Sequence, residues 1–508
     1  MKRLPILLAI GAFLLPVVIR GLWFYRGFYK PTHSITAPEY TELFLPTSPP
    51  GVKGTEVEMV DASGIIVLVD WAHENKFDIT ELEGFINILT ELGAAVEIVQ
   101  SPYSSGDPYS SDATPLDQRL KYADAYIVIA PSATFSDDDV QHLTHFVERG
   151  GRLLVTCDPT RVVRGLSSYD YESYYVYSLG SVVAANSLLA PFDLTFSDGF
   201  LYNLLENEGN YRNVIFRSFG EDSLTAGLST VAFYGVSSIV TNTGTPLIIG
   251  DRNTLSSRTD ASGEWAPLVR SQNGSVIALG DLTFLTPPYD QIADNQLLIS
   301  HLIDFLVSGE RQQDLSDYPH IFQQPVAILE SETFDLAAET LQTILGLEIS
   351  LDSLDLQLSI VEEPSPDLDL IAFDSYRPSE DLRLLLEPFK GLVLPEDSED
   401  GSLSVPGFGQ LNPAGIGTML LSRTDGRTTL ILLTNSRDEL ITLAEMLAND
   451  ELYRCLLREH IALCKVGVGE GFDSISDLGL YNYDDTFYEQ FPFTDEPFLP
   501  TPIPTVTP

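Results

Sequence analysis

Cys157 is the first residue whose surroundings suggest chemistry, because it follows the apolar run Leu153-Leu154-Val155 in the segment Thr156-Cys157-Asp158-Pro159. A thiol at a strand end could act as a nucleophile. The sharp elbow that presents such a nucleophile needs glycine on both sides, whereas Thr156 and Asp158-Pro159 follow another course. A reactive thiolate also needs a cationic or basic neighbour, and Asp158 places a carboxylate there instead. The segment reads as a buried structural cysteine, and no catalytic residue is assigned.

A second group is polar. Asp70, His73 and Asn75 lie just beyond the run Ile65-Ile66-Val67-Leu68-Val69, and Asp281 ends another run after Val276-Ile277-Ala278-Leu279. Open α/β sheets bind ligands beyond the carboxyl ends of their strands. These four are therefore the candidate ligand-binding residues, able to hold a sugar, a peptide end or a cation; the alternative is that they cap helices and tie loops down. No metal or cofactor is expected. His142 and His145 have no second ligand pair, and Asp397, Glu399 and Asp400 before Gly401 lack the spacing of a calcium loop. The glycines at 407, 409, 415 and 417 are not followed by the Lys-Ser/Thr of a phosphate loop. Asn273-Gly274-Ser275 matches a glycosylation sequon.

The elements that would position these residues follow an α/β alternation from Gly64 onward. After the first strand, Asp78 and Glu81 form a capping-box pattern opening a helix with Ile79, Leu82, Ile86, Leu89 and Leu92 on one face. Gly93 stops it and Val96-Glu97-Ile98-Val99 is the next strand. Tyr126-Ile127-Val128-Ile129 leads through Ser136, an N-cap, to a helix with Val140, Leu143 and Val147 inward, then to the strand Arg152-Leu153-Leu154-Val155. Between about Arg161 and Val231 the pattern is irregular and rich in tyrosine (169, 171, 174, 175 and 177), as an insertion over the sheet edge. Strands resume at Leu247-Ile248-Ile249 and Val276-Leu279, closed by a helix near Asp294 to Leu306. The domain is placed at 62–310. A second, smaller α/β domain is placed at 324–470, with a hairpin around Asp425-Gly426 and a capping box from Ser436 to Glu439.

The chain has 508 residues, enough for two or three domains, and 44% apolar residues to fill their cores. Its formal charge of -45, from 28 Lys+Arg against 73 Asp+Glu, repels phosphate backbones and anionic headgroups, so no nucleic acid partner is expected. Of three cysteines, Cys455 and Cys464 are close enough to pair in an oxidising compartment if a turn intervenes. Leu4 to Ile19 is an uncharged run, flanked by Lys2 and Arg3 before it and by Arg20 and Trp23-Phe24-Tyr25 after it. Residues 1–30 are read as an uncleaved transmembrane anchor, since a basic residue and interfacial aromatics replace the small residues of a cleavage site. Residues 31–61 form a Pro/Thr/Ser-rich linker and 471–508 an acidic, Pro/Thr-rich tail.

Three segments carry a family resemblance: Val69-Asp70-Trp71-Ala72-His73-Glu74-Asn75-Lys76-Phe77, Phe146 to Val155 through Glu148-Arg149-Gly150-Gly151, and Ala278-Leu279-Gly280-Asp281 with Ala293-Asp294-Asn295. In these, about half the chain resembles an uncharacterised bacterial membrane-anchored family whose fold is like the class I glutamine amidotransferases. That fold group includes the auxiliary component of gliding-motility ABC transporters and the N-terminal domain of an intraflagellar-transport scaffold subunit. The resemblance implies a flavodoxin- or amidotransferase-like, mainly parallel sheet. Gly280-Asp281-Leu282 lacks the His and Glu that amidotransferases carry after a late strand. The expectation is a single-pass membrane protein with an extracytoplasmic body, held to lipid by its N-terminal helix. Its role would be non-catalytic binding or scaffolding of another envelope protein or transporter component. The alternatives are a Cys157-dependent amidohydrolase and a glycan- or solute-binding subunit.

Overall fold

The computed structural model describes residues 4–25, 61–100, 114–161, 163–166, 176–179, 181–329, 338–398, 401–424, 426–458 and 460–467. The linker at 31–60, the tail at 471–508, Tyr169, Tyr171, Tyr174, Tyr175, Glu399, Asp400 and Asp425 lie outside them. The chain divides into two compact units, Met1–Thr47 and Ser48–Pro508.

The first unit contains one described helix, α1 (Leu4–Tyr25), of 22 residues with Pro16 inside it. Phe13 is 81% exposed, and Leu14, Leu15, Val17, Val18, Ile19, Leu22 and Trp23 are exposed with it. Side chains are described here only from Gly11 to Trp23, and over the described residues no helix is long and apolar enough to cross a membrane.

The second unit holds two large mixed sheets. In the first, β1 (Ile66–Trp71) is followed by a 3-10 turn capped by Asp78 with Glu81, then α2 (Glu83–Glu91), and β2 (Ala95–Gln100) returns parallel to β1. Leu82, Phe85 and Leu89 are the buried residues of that helical stretch, while Ile79, Ile86 and Leu92 are half-buried. β3 (Ala125–Ile129), α3 (Asp137–Glu148) and β4 (Arg152–Thr156) repeat the unit, with Ser136 and Asp139 closing the helix start reciprocally.

The expected insertion supplies β5 (Asn213–Phe216) and β6 (Ser218–Phe219), and the chain beyond it β7 (Val231–Tyr234), β8 (Thr245–Ile249) and β9 (Leu268–Arg270), before β10 (Val276–Leu279) and α4 (Asn295–Val307). The sheet order is β2-β1-β3-β4-β10-β9-β8-β6. β2, β1, β3, β4 and β10 are parallel, whereas β9, β8 and β6 extend the edge antiparallel. The sheet is thus mixed, a five-stranded parallel part extended by antiparallel strands, and β9 reaches β10 through residues 271–275 alone, too few for a crossover helix. Alternate strand residues feed opposite cores. Val67 and Val69 pack with Phe85, Leu89 and Leu298, while Leu68 and Tyr126 pack with Leu143 and Phe146.

The second sheet comprises β11 (Val326–Leu329), β12 (Leu358–Val361), β13 (Asp369–Ser375), β14 (Ile416–Thr424), β15 (Arg427–Thr434), β16 (Cys455–Arg458) and β17 (Ile461–Lys465). Their order is β12-β11-β13-β15-β14-β17-β16, parallel as far as β15 and antiparallel beyond it. β14 and β15 form the expected hairpin, with Gly426 at φ +77°. Cys455 faces Cys464 across β16 and β17, and the two are disulfide-bonded.

The two sheets keep separate cores and meet through charge. Arg149, at the C-cap of α3, donates to Asp317 at 2.5 Å and lies 2.8 Å from Asp314. Arg311 pairs with the other oxygen of Asp317, which is 1% exposed, and donates to the carbonyls of Lys121 (3.0 Å) and Ala123 (2.8 Å). Lys121 reaches Asp450 at 2.5 Å. A Cβ on Gly150 would sit 2.6 Å from the Glu310 carbonyl, so this close approach requires glycine. Removing one partner of a buried pair costs about 3 to 5 kcal/mol. Asp317→Asn strips both arginines of their shared carboxylate, and urea unfolding should register a loss of that size. A loss below about 1 kcal/mol, the scale of an exposed pair, would show the junction to be held by other contacts.

Candidate functional site

Asp70, at the carboxyl end of β1, is fully buried and collects four donors. His73 Nδ1 lies 2.9 Å away, the Tyr126 hydroxyl 2.9 Å, Asn75 Nδ2 3.1 Å and the Ala72 amide 3.2 Å. Asn75 uses its amide a second time, donating to the Ile129 carbonyl at 2.8 Å, and its Oδ1 accepts the His73 amide at 3.2 Å. The His73 ring is stacked on Phe135 with centroids 3.6 Å apart, and the residue is 8% exposed. The knot holds two non-glycine residues in left-handed backbone, Glu74 at φ 49° and Ala130 at φ 42°. Such conformations persist only where neighbours over-determine them. Here Ser132 Oγ donates to the Glu74 carbonyl at 2.9 Å.

His73 Nε2 lies 3.9 Å from Asp139, too long for a hydrogen bond but close enough for charge to act. Burial is the largest influence on the imidazole and pulls its pKa down, but Asp139 and Asp70 together outweigh it and raise it to about 9. The imidazolium beside Asp139 holds that carboxyl down to about 2. A histidine so strongly protonated is no general base near neutrality. It sits as a cation between two carboxylates.

Asp281 belongs to another arrangement. β3 and β4 stand between β1 and β10 in the sheet, a separation of about 14 Å at ~4.8 Å per strand. Its Oδ2 accepts the Tyr234 amide at 2.7 Å and its Oδ1 the Thr283 amide at 2.8 Å. Asp294 accepts the amides of Ser229 (2.7 Å) and Thr230 (2.8 Å), and Asn295 both accepts from and donates to the Ala232 backbone at 3.0 Å. Residues 230, 232 and 234 alternate along the edge of β7, whose residues 231–234 pair with β5. Three side chains thus imitate a neighbouring strand and close that edge. Asp294 stands at the N-cap position of α4, where the sequence placed the helix start, and its carboxylate serves this edge instead of making a side-chain cap.

Beside Asp281 lies buried Asp158, which accepts from the Thr160 amide at 2.8 Å and from Thr283 Oγ1 at 3.3 Å. Burial first, then the charge of Asp158, push the Asp281 carboxyl well above the usual range. Arg161 lies 3.9 Å from Asp158 and forks onto Glu81 at 3.0 and 2.6 Å. A Cβ at Gly280 would fall 2.0 Å from the Ser237 carbonyl, so the backbone runs too close there for any other residue.

The sequence grouped Asp70, His73, Asn75 and Asp281 at one open edge. The structure joins the first three, separates Asp281, and occupies all four with protein partners. Tyr126 and Asp139 were missed as members of the knot. Tyr126 carried a signal, being the one polar-tipped residue in an otherwise aliphatic buried strand. Cys157 is 0% exposed, among Leu153, Val155, Val276 and Ala278. His145 turns to Asp314 at the junction (3.5 Å), Asp397 pairs with Arg383 (3.1 Å), and Asn273 accepts the Ser275 amide (3.1 Å) within its own turn. Among the described residues no group of His, Cys, Asp and Glu is arranged to hold a metal ion.

The raised pKa of His73 has a definite sign. Because the folded value exceeds the unfolded value near 6.5, its stabilisation is complete below about pH 6.5 and is lost as pH rises toward 9. Imidazole resonances of His73 should stay in the protonated position through pH 8, and Asp139→Asn should bring the midpoint down. A wild-type midpoint at or below 6.5 would contradict the paired-carboxylate geometry.

No protein-family model matches the chain, and no curated protein matches it. Solved structures similar to it include the mmIFT52 N-terminal domain, at 10% identity and TM-score 0.36, over 48% of this chain and 99% of that one. A putative ThuA-like protein from Bacteroides uniformis ATCC 8492 is similar at 10% identity and TM-score 0.29, over 51% and 97%. The exo-beta-1,4-mannosidase Op5Man5 from Opitutaceae bacterium strain TAV5 is similar at 14% identity and TM-score 0.26, over 48% and 36%. At these scores none of them carries an argument about function or site.

Proposed function

We propose that this chain is a membrane-tethered, non-catalytic module of the cell envelope that binds or scaffolds another envelope component, accessory to a transport system. The observation that carries this reading is the closed carboxyl edge of the first sheet. Where a ligand or substrate would enter an open α/β sheet, Asp70, His73, Asn75 and Asp281 are buried and hydrogen-bonded within the protein. Cys157 lies in the core beneath that edge. Recognition then falls to the surface of the body rather than to a reactive pocket.

The tether is α1. What supports this is the uncharged run Leu4 to Ile19 within the 22 residues of α1, while among the described residues no helix is long and apolar enough to cross a membrane. Its exposed side chains from Phe13 to Ile19 are apolar, which water disfavours and lipid accepts. The Cys455–Cys464 bridge favours placing the body on an oxidising side of the membrane.

Alkaline carbonate washing should leave the full-length protein in the membrane pellet. Protease added outside intact cells should degrade the body beyond about Lys30. Release by carbonate, or full protection from the protease, would defeat the tethered, exported reading.

A further inference from the structure

A cleft of about 800 Å³ opens where the connector between the sheets meets the antiparallel end of the second sheet. Its walls include Lys390, Arg423, Arg458 and His460, and among the described residues lining it none is acidic. In a chain with 73 Asp+Glu against 28 Lys+Arg, such a wall reverses the average surface. The cations come from three separate segments: the loop beyond helix Glu380–Leu386, strand β14, and the hairpin of β16 and β17.

Among the described residues, none of the four pairs with a carboxylate. Arg423 gives one amino group to Gln313 Oε1 (2.8 Å) and the Ile321 carbonyl (3.4 Å), and Arg458 gives one to the Gly407 carbonyl (2.6 Å). The Arg458 guanidinium also lies 5.5 Å from the Phe408 ring centre. Both arginines are thus steadied by neutral groups, and each guanidinium has five donors, so most remain for a ligand.

We propose that this cleft binds a phosphate group, carried by a ligand of small-molecule size, through Arg423, Arg458 and Lys390, with Phe389 against the ligand's apolar part. A planar carboxylate is satisfied by one guanidinium fork, whereas a tetrahedral phosphate presents oxygens in several directions and suits donors contributed by three segments lining one cleft. The volume falls within the range of small-molecule sites. A long polyanion is disfavoured because the rest of the chain repels it. The assignment rests on the cleft alone and stands or falls separately from the tethered reading. The phosphate could be that of a soluble molecule or of a lipid headgroup.

The test is calorimetric titration of the full-length protein with inorganic pyrophosphate at low salt, with citrate as the carboxylate probe. In parallel, phosphatidylcholine vesicles with and without phosphatidic acid are compared for binding. Saturable binding of pyrophosphate, or excess binding to the phosphatidic acid vesicles, should weaken about tenfold or more in Arg423→Gln and Arg458→Gln, the loss expected for one charged hydrogen bond. Whichever probe binds identifies the source of the phosphate. Variants are compared only where their circular dichroism matches the parent, and Lys390→Gln, at an exposed position, supplies a third. Absence of both kinds of binding, binding unchanged in the variants, or citrate bound as tightly as pyrophosphate would overturn the assignment.

Discussion

Backbone N–H groups that run past the last rung of a strand ladder must find acceptors once water is excluded, and in this chain buried aspartates supply them. Asp70 does so after β1, Asp158 after β4 and Asp281 after β10. In the second sheet Asp369 accepts the amides of Gln323, Gln324 and Thr428 at the start of β13, and Asp374 those of Ser375 and Ser379 at its end. A carboxylate accepting several such donors tolerates burial that an isolated one would not. The backbone beyond β1, β4 and β10 and at both ends of β13 is tied down through these few side chains.

This use of acid inside the protein bears directly on function. The edge of a parallel sheet is where polar groups are ordinarily left available to a ligand, and here they are consumed by the fold. Where acids approach one another, cations are placed between them: His73 between Asp70 and Asp139, Arg161 between Glu81 and Asp158, Arg311 and Arg149 on Asp317. Among the described residues, Lys390, Arg423 and Arg458 line one cleft without a carboxylate partner, which is why the proposed anion site is placed there.

Local signals in the sequence carried furthest where both partners lie within one turn. The Asp78–Glu81 and Ser136–Asp139 caps depend on residues three apart, and both form. Ser436 also caps its helix, but Glu439 reaches back to the Asn435 amide instead of that of Ser436. The pairing of Cys455 with Cys464 needed only the turn between them. Asp281 was legible as a polar strand end but not as a clamp, because its partner Tyr234 lies 47 residues away, just past the irregular insertion. The antiparallel extension escaped for the same reason: a three-residue strand such as Leu268–Arg270 is too short to show alternation. The cleft of the second sheet is built from single residues on distant segments, and no spacing announces it.

The central claim, that the carboxyl edge of the first sheet is closed and chemically inert, meets its most direct measurement at Cys157. With Cys455 and Cys464 joined, Cys157 is the cysteine outside the disulfide, so a thiol-reactive chromophore reports on it alone. The account predicts modification of the folded protein that is slow near neutral pH and accelerates only when denaturant opens the core. Rapid stoichiometric labelling of the native protein would show a reachable, activated thiolate and contradict the closed edge.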